Sequence, residues 1–228
     1  MWVMAEQSSD RIADLRVHYD LDSLDLADTA ATPLEQFQRW FDHARQADIV
    51  EPNAMVVSSV SHDGQPSSRT VLLKEADSRG FAFFTNLDSR KGRELSENAA
   101  VSAVFPWYAL HRQVVVNGRV SPVPRPEAAA YFASRPRESQ LGAWTSHQSQ
   151  VIADRQVLHE RYDQLVARFA GKDVALPDFW GGFIIEAHSV EFWQGRPSRL
   201  HDRIRYTSHS PAMGAADASV WQRDRLSP

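Results

Sequence analysis

Apolar and polar positions follow two periods along this chain. From residue 34 to 44, the apolar residues Leu34, Phe37, Phe41 and Ala44 recur every three or four positions, which predicts a helix with one buried stripe. Thr32, Pro33 and Glu35 form a capping box with proline at the first helical position, so the helix should start there. Further on, the pattern changes to strands. AMVVSSVS (54–61), SSRTVLLKE (67–75), FAFFT (81–85), AVSAVFPW (100–107) and RQVVVNGRVSPV (112–123) are rich in β-branched and aromatic residues. Asp63-Gly64 between the first two is a hairpin signal. GFIIEA and SVEFWQG predict two more strands, and the tail SVWQRDRLSP a last one.

Short helices are predicted over 89–98 and after Pro126. A longer one is predicted over roughly 150–169, with Val151, Leu158, Tyr162, Leu165 and Phe169 on one side. Residues 1–31 lack clear periodicity and read as a mobile N-terminal arm, with a single domain over 32–228. TSHSPAMGAADA (207–218) reads as a loose loop. Many strands, few helices and no βαβ alternation predict a mainly β (α+β) fold: an antiparallel barrel with helices packed outside.

Composition narrows the classes. The 228 residues are 43% hydrophobic, enough for one substantial core. No stretch approaches the roughly 20 apolar residues that span a bilayer, and the start lacks a basic region followed by an apolar run. No cysteine is present, which excludes disulfides, thiolate catalysis and zinc–cysteine sites. These features predict a cytoplasmic protein with no membrane partner and no metal. A net charge of -4 and a pI of about 6.1 argue against a nucleic-acid partner.

Positive charge is concentrated rather than plentiful, in four places. Arg69-Thr70-Val71-Leu72-Leu73-Lys74 has an apolar centre, which predicts a strand covered on both faces, with charged ends that need partners. Period two puts Arg69 and Lys74 on opposite faces unless a bulge re-aims one; internal salt bridges are an equal alternative. Thr85 to Gly92 ends a strand and opens a helix with Ser89, Arg90 and Lys91. Cations are misplaced at a helix N-terminus unless an anion sits there, so a phosphate is expected. Tyr131, Arg135 and Ser139, on a helix end and its following loop, could hold a second phosphate, and Ser146-His147-Gln148-Ser149 offers polar groups; a capped surface loop is the plainer alternative. Finally, VEFWQGRPSRLHDRIRY (190–206) holds four arginines, and Arg199 and His201 face the same way on an extended chain. There the plainer alternative is rim charges paired with Asp202 and Glu191.

In fixed order, EPNAMV, SSRTVLLK, FFTN with SRKGREL, FPWYALHRQV, YFASRPRESQLGAW, SHQSQ and VEFWQGRPSRLHDR resemble the pyridoxine/pyridoxamine 5′-phosphate oxidase family. The resemblance implies a homodimeric split β-barrel of the FMN-binding type, closed by C-terminal dimerisation strands, with FMN at the subunit interface. It implies oxidation of pyridoxamine 5′-phosphate and pyridoxine 5′-phosphate to pyridoxal 5′-phosphate by O2, releasing H2O2. Arg69, Thr70, Val71, Leu72, Leu73, Lys74, Phe84, Thr85, Arg90, Lys91, Gln113, Gln148, Ser149, Trp193 and Arg203 would hold FMN. Lys74, Tyr131, Arg135 and Ser139 would clamp the substrate phosphate. Arg199 and His201 would lie over the substrate ring as catalytic residues, and Arg16 and Tyr19 would close over it. Glu51 departs from a common aspartate, and Asn117 from a usual acidic residue. The alternatives are another split-barrel flavin oxidoreductase, or a non-catalytic carrier of pyridoxal phosphate or FMN.

Overall fold

The computed structural model describes Ile12, Leu15, residues 18–208 and residues 217–228. Arg16, and residues 209–216 of the expected loop, lie outside the described residues. Among the described residues, nine strands form one antiparallel sheet: β1 (Ala54–Val60), β2 (Pro66–Leu72), β3 (Glu75–Asp77), β4 (Gly80–Asn86), β5 (Ala100–Trp107), β6 (Arg112–Pro122), β7 (Trp180–Gln194), β8 (Asp202–Ser208) and β9 (Trp221–Arg225). The order β2-β1-β5-β6-β7-β4-β3 branches at β7. One edge of β7 pairs with β6 along nearly its whole length. Its first half also pairs with β4 and its second half with β8, which carries β9. One long strand therefore feeds two wings of a curled sheet.

The helices are α1 (Pro33–Gln46), α2 (Arg90–Glu97), α3 (Arg125–Ser134), α4 (Arg137–Thr145) and α5 (Gln156–Arg168). α1 starts as its capping residues predict: Thr32 Oγ1 accepts from the Glu35 N–H at 3.2 Å. The α1 stripe also includes Trp40, which meets Phe192 edge-on at 5.2 Å. Phe37 is 1% exposed and packs on Phe81 and Phe105, with ring centroids 5.0 and 4.9 Å away. Residues 22–31 also dock on this body: Leu24 and Ala30 are buried, and Tyr206 Oη donates to Ala30 O at 2.7 Å.

Five local expectations are corrected. GFIIEA and SVEFWQG belong to one strand, because a bulge absorbs the break in alternation. β6 pairs Asn117 with Ser189 and Gly118 with Ala187, leaving His188 as the extra residue. Gly118 is required there, since a Cβ would stand 2.1 Å from Glu186 O. SSRTVLLKE is two strands: the Leu73 N–H donates to Asn53 O and the Lys74 N–H to Ala82 O, so the chain changes partners there. β2 is an edge strand with Ser68 and Thr70 exposed, not covered on both faces within one chain. The long helix begins at Gln156, where Asp154 Oδ1 takes the free Val157 N–H at 3.2 Å; Val151 is fully exposed. The segment after Arg135 is a helix, α4, rather than a loop. Its Leu141 packs with Phe132, Phe169 and Trp180, and tertiary burial outweighs the Pro136 and Gly142 signals.

Phe37→Ala should lower unfolding stability by roughly 3–5 kcal/mol, because its four aromatic neighbours, Phe41, Phe81, Phe105 and Trp107, cannot collapse into the space it leaves. Denaturant unfolding monitored by circular dichroism would show it.

Candidate active site

A cavity of about 1030 Å³ opens between β2, β4, the start of α2, and α3–α4. Its lining includes Arg69, Thr70, Val71, Leu72, Lys74, Phe84, Thr85, Arg90, Lys91, Tyr131, Arg135, Ser139, Gln148 and Ser149. Fourteen sequence-predicted residues from four separate stretches thus share one space. Ser146, from the polar stretch 146–149, also lines it, and so does Trp180, which was not anticipated. Leu73 does not, because its side chain turns into the main core. Arg69 and Lys74 do reach the same cavity: the strand break between Leu72 and Glu75 re-aims the second cation.

Two cation groups stand in this space. The first is built on Glu94, 5% exposed on α2. Glu94 Oε1 accepts from Arg90 Nε at 2.7 Å; Oε2 accepts from Ser67 Oγ at 2.6 Å, Ser59 Oγ at 2.5 Å and Arg69 Nη2 at 3.4 Å. Burial alone would raise the Glu94 pKa, but hydrogen bonds from Ser59, Ser67 and Arg90 outweigh it and bring the value down to about 2. Lys91 joins this group. Its Nζ donates to Gln148 Oε1 at 2.8 Å, Thr85 Oγ1 at 3.0 Å and Ser89 Oγ at 3.3 Å. Burial, with the charge of Arg69, lowers its pKa to about 8. Ser89 caps α2 by accepting from the Gly92 N–H at 3.2 Å. The helix start, two arginines and a buried ammonium form an arrangement suited to a phosphate.

The second group surrounds an aromatic stack. Phe84, Tyr131 and Trp180 are mutually near-parallel: Phe84 is 4.2 Å from Tyr131 and 5.4 Å from Trp180, with interplanar angles of 21° and 6°, and Tyr131 and Trp180 are 6.1 Å apart. Lys74 Nζ is 6.0 Å from the Tyr131 ring, and the Arg135 guanidinium is 5.0 Å from that of Trp180. Among the described residues Arg135 Nη1 is buried without a hydrogen-bond partner, and burial lowers the Arg135 pKa. A buried, unpaired guanidinium N–H is costly and suits an anionic ligand.

The remaining predicted residues form another cluster. Register places Gln113, Trp193 and Arg203 in one row across β6, β7 and β8. Arg199 lines a separate cavity of about 680 Å³ with His18, Tyr19 and Arg196. The Trp193 ring centroid is 4.6 Å from that of His201, and Tyr19 lies edge-on to both. The segment carrying Arg199 is not extended: it forms a 3-10 turn over Pro197–Arg199, with Ser198 and Arg199 at φ 59° and 63°. His201 Nδ1 accepts from the Arg196 N–H at 3.1 Å, so a neutral His201 carries its proton on Nε2. Burial and then the charge of Arg199 lower the His201 pKa, which favours that neutral form near pH 7. Rim pairing accounts for other charges here. Arg203 binds both oxygens of Glu191, Arg205 approaches Asp224 at 3.6 Å, and Arg196 approaches Asp202 at 3.5 Å. Among the described residues Arg199 has no ion pair. Within one chain the two cavities have separate linings.

Known structures share this architecture. PhzG from Burkholderia lata 383, solved in complex with tetrahydrophenazine-1-carboxylic acid, superposes with a TM-score of 0.81 at 30% identity, covering 91% of this chain and 99% of that one. A pyridoxamine 5′-phosphate oxidase-related, FMN-binding protein from Nostoc punctiforme has the same fold, with a TM-score of 0.66 at 12% identity, covering 86% of this chain and 97% of that one. The branched sheet is therefore a split barrel of the FMN-binding type. The family model for pyridoxamine 5′-phosphate oxidase matches residues 41–167, and that for the pyridoxine 5′-phosphate oxidase C-terminal dimerisation region matches residues 180–228. Pyridoxine/pyridoxamine 5′-phosphate oxidases from Streptomyces avermitilis and Trichormus variabilis are 52% and 46% identical, each over 95% of this chain and over 96% and 98% of their own lengths. The chain belongs to the pyridoxamine 5′-phosphate oxidase family.

Glu94 ionises in the folded chain well below the value of about 4.5 for a free side chain. Its contribution to stability is thus present above about 4.5 and is lost as pH falls towards about 2. Glu94→Gln should lower the melting temperature at pH 7 and flatten its decline between those values, as thermal unfolding across that range would show.

Proposed function

We propose that this chain uses FMN to oxidise pyridoxamine 5′-phosphate and pyridoxine 5′-phosphate to pyridoxal 5′-phosphate, with O2 as the final acceptor and H2O2 as the second product. The observation that carries this reading is one cavity holding two cation groups, one of them with a buried donor that lacks a partner among the described residues. Two phosphorylated ligands fit it better than one. Names of relatives at about half identity point to the same substrates.

In this reading Arg69, Arg90 and Lys91, with the hydroxyl of Thr85 and the start of α2, hold the FMN phosphate; the β2 backbone from Thr70 to Leu72, with Phe84, Gln148 and Ser149, bounds the rest. Lys74, Tyr131, Arg135 and Ser139 clamp the substrate phosphate. Bound FMN supplies the two-electron acceptor that no side chain can provide. The protein's contribution is chiefly position: charge-assisted bonds at the phosphate fix where the reacting carbon sits. Arg199 orients the substrate, and the Nε2–H of neutral His201 can donate a hydrogen bond to it.

The second cavity enters through a homodimer. The match of residues 180–228 to a dimerisation region supports a subunit seam on the β7–β9 wing. There the partner would bring its Arg199–His201 cluster, and the row of Gln113, Trp193 and Arg203, to the first cavity. A second reading, oxidation of a different ring substrate, is favoured by the PhzG complex.

Adding pyridoxamine 5′-phosphate anaerobically to the flavin-loaded protein should bleach the flavin, and air should restore its colour with release of peroxide. Unbleached flavin would refute the proposed substrate. Arg135→Ala should raise KM by roughly 10- to 100-fold, the worth of one or two charge-assisted bonds. Mixing and reassembling Arg135→Ala with Arg199→Ala chains should recover activity that neither has alone; no recovery would refute sites shared between subunits. FMN affinity should be flat below pH 8 and fall above it, as Lys91 loses its proton at about 8; flavin fluorescence titrations would measure this.

A further inference from the structure

Arg112 opens β6 with its side chain 6% exposed. Three of its contacts supply no counter-charge: Nε donates to Gln194 Oε1 at 2.8 Å, Nη1 meets His43 Nδ1 at 3.1 Å, and the guanidinium lies 4.4 Å from the centre of the Trp40 ring. A guanidinium so placed needs a counter-charge. Among the described residues its carboxylate partner is Asp22, which binds Nη2 from the N-terminal segment. That segment is tied again on either side. Arg196 Nη1 donates to Asp22 O at 2.8 Å, and the Leu24 N–H donates to Asp202 Oδ2 at 3.0 Å. Three residues before Asp22, the Tyr19 ring stands 4.7 Å from that of His111, 5.9 Å from Trp193 and 5.6 Å from His201. Gly195 makes room for it, since a Cβ there would lie 2.8 Å from Tyr19 Cδ1.

We propose that Asp22 is a positioning residue: its ion pair with buried Arg112 latches the N-terminal segment across the ends of β6 and β7 and holds Tyr19 against His201 and Trp193. The value of the latch for turnover rests on the proposed oxidation of pyridoxamine 5′-phosphate, but its structural part does not. The carboxylate has a purpose here because Arg112 is already buried by strand pairing and Trp40. Docking the segment neutralises a charge the barrel has enclosed, so the segment is held without an apolar interface of its own. Tyr19 then covers one side of the His201 ring and keeps it beside Trp193.

Two readouts test this. In Asp22→Asn, amide hydrogen exchange over residues 18–25 should accelerate while exchange in β4 to β7 and FMN affinity stay unchanged. KM for pyridoxamine 5′-phosphate should rise roughly tenfold at constant kcat, as expected if only about a tenth of the molecules hold the latched form. Gly195→Ala, which crowds Tyr19 and leaves the ion pair intact, should give the same KM change. Unchanged exchange over 18–25 in Asp22→Asn would overturn the latch even if the wild-type protein failed to bleach. A faster exchange with unaltered KM in both variants would overturn its role in turnover. If Asp22→Asn does not fold, the Gly195→Ala result decides.

Discussion

Everything at the candidate site depends on crowding positive charge where the protein walls off water. Arg69, Lys74, Arg90, Lys91 and Arg135 line one cavity, and among the described residues its lining holds no carboxylate. Like charges in such a space repel, and burial penalises each of them. The fold tolerates the arrangement because Glu94 sits just behind the wall, binding Arg69 and Arg90 together with two serine hydroxyls. One buried carboxylate cannot neutralise the set. The residual positive field is what a pair of phosphorylated ligands would satisfy.

The sheet places these charges without strain at most positions. β7 is long because it serves two wings, and its bulge at His188 lets β6 follow it past the branch. The Leu72–Glu75 break lets one short segment contribute to both cation groups. The exception is Ser198–Arg199, where two successive non-glycine residues adopt left-handed angles. Such conformations cost energy and persist only where the surroundings impose them. Here the cost keeps Arg199 out of line with the neighbouring strand and exposes it, without an ion pair among the described residues.

The same logic recurs at the other end of the barrel. Arg112 is enclosed by packing and answered by Asp22, as Arg69 is answered by Glu94. In each place a charge that the sheet has buried organises the segment supplying its partner. Surface pairs such as Arg45 with Asp42 have no such leverage, because water already solvates both groups.

Much of this was legible in the residues. The capping box at Thr32, the Asp-Gly hairpin, the strand periods and the misplaced cations after Ser89 are local signals, and each marks a feature the structure contains. Blocks in fixed order carried the family resemblance and most of the cavity lining. Glu94 was within reach, four positions after Arg90 on one helix face, but Trp180 carried no local sign of its place in the stack. Other features are decided only by contacts between distant segments. The continuity of β7, the helix after Arg135, the inward turn of Leu73 and the pairing of Asp22 with Arg112 are of this kind. Local sequence sets the period and the caps; which charge is buried beside which carboxylate depends on where the strands cross, and only the folded chain determines that.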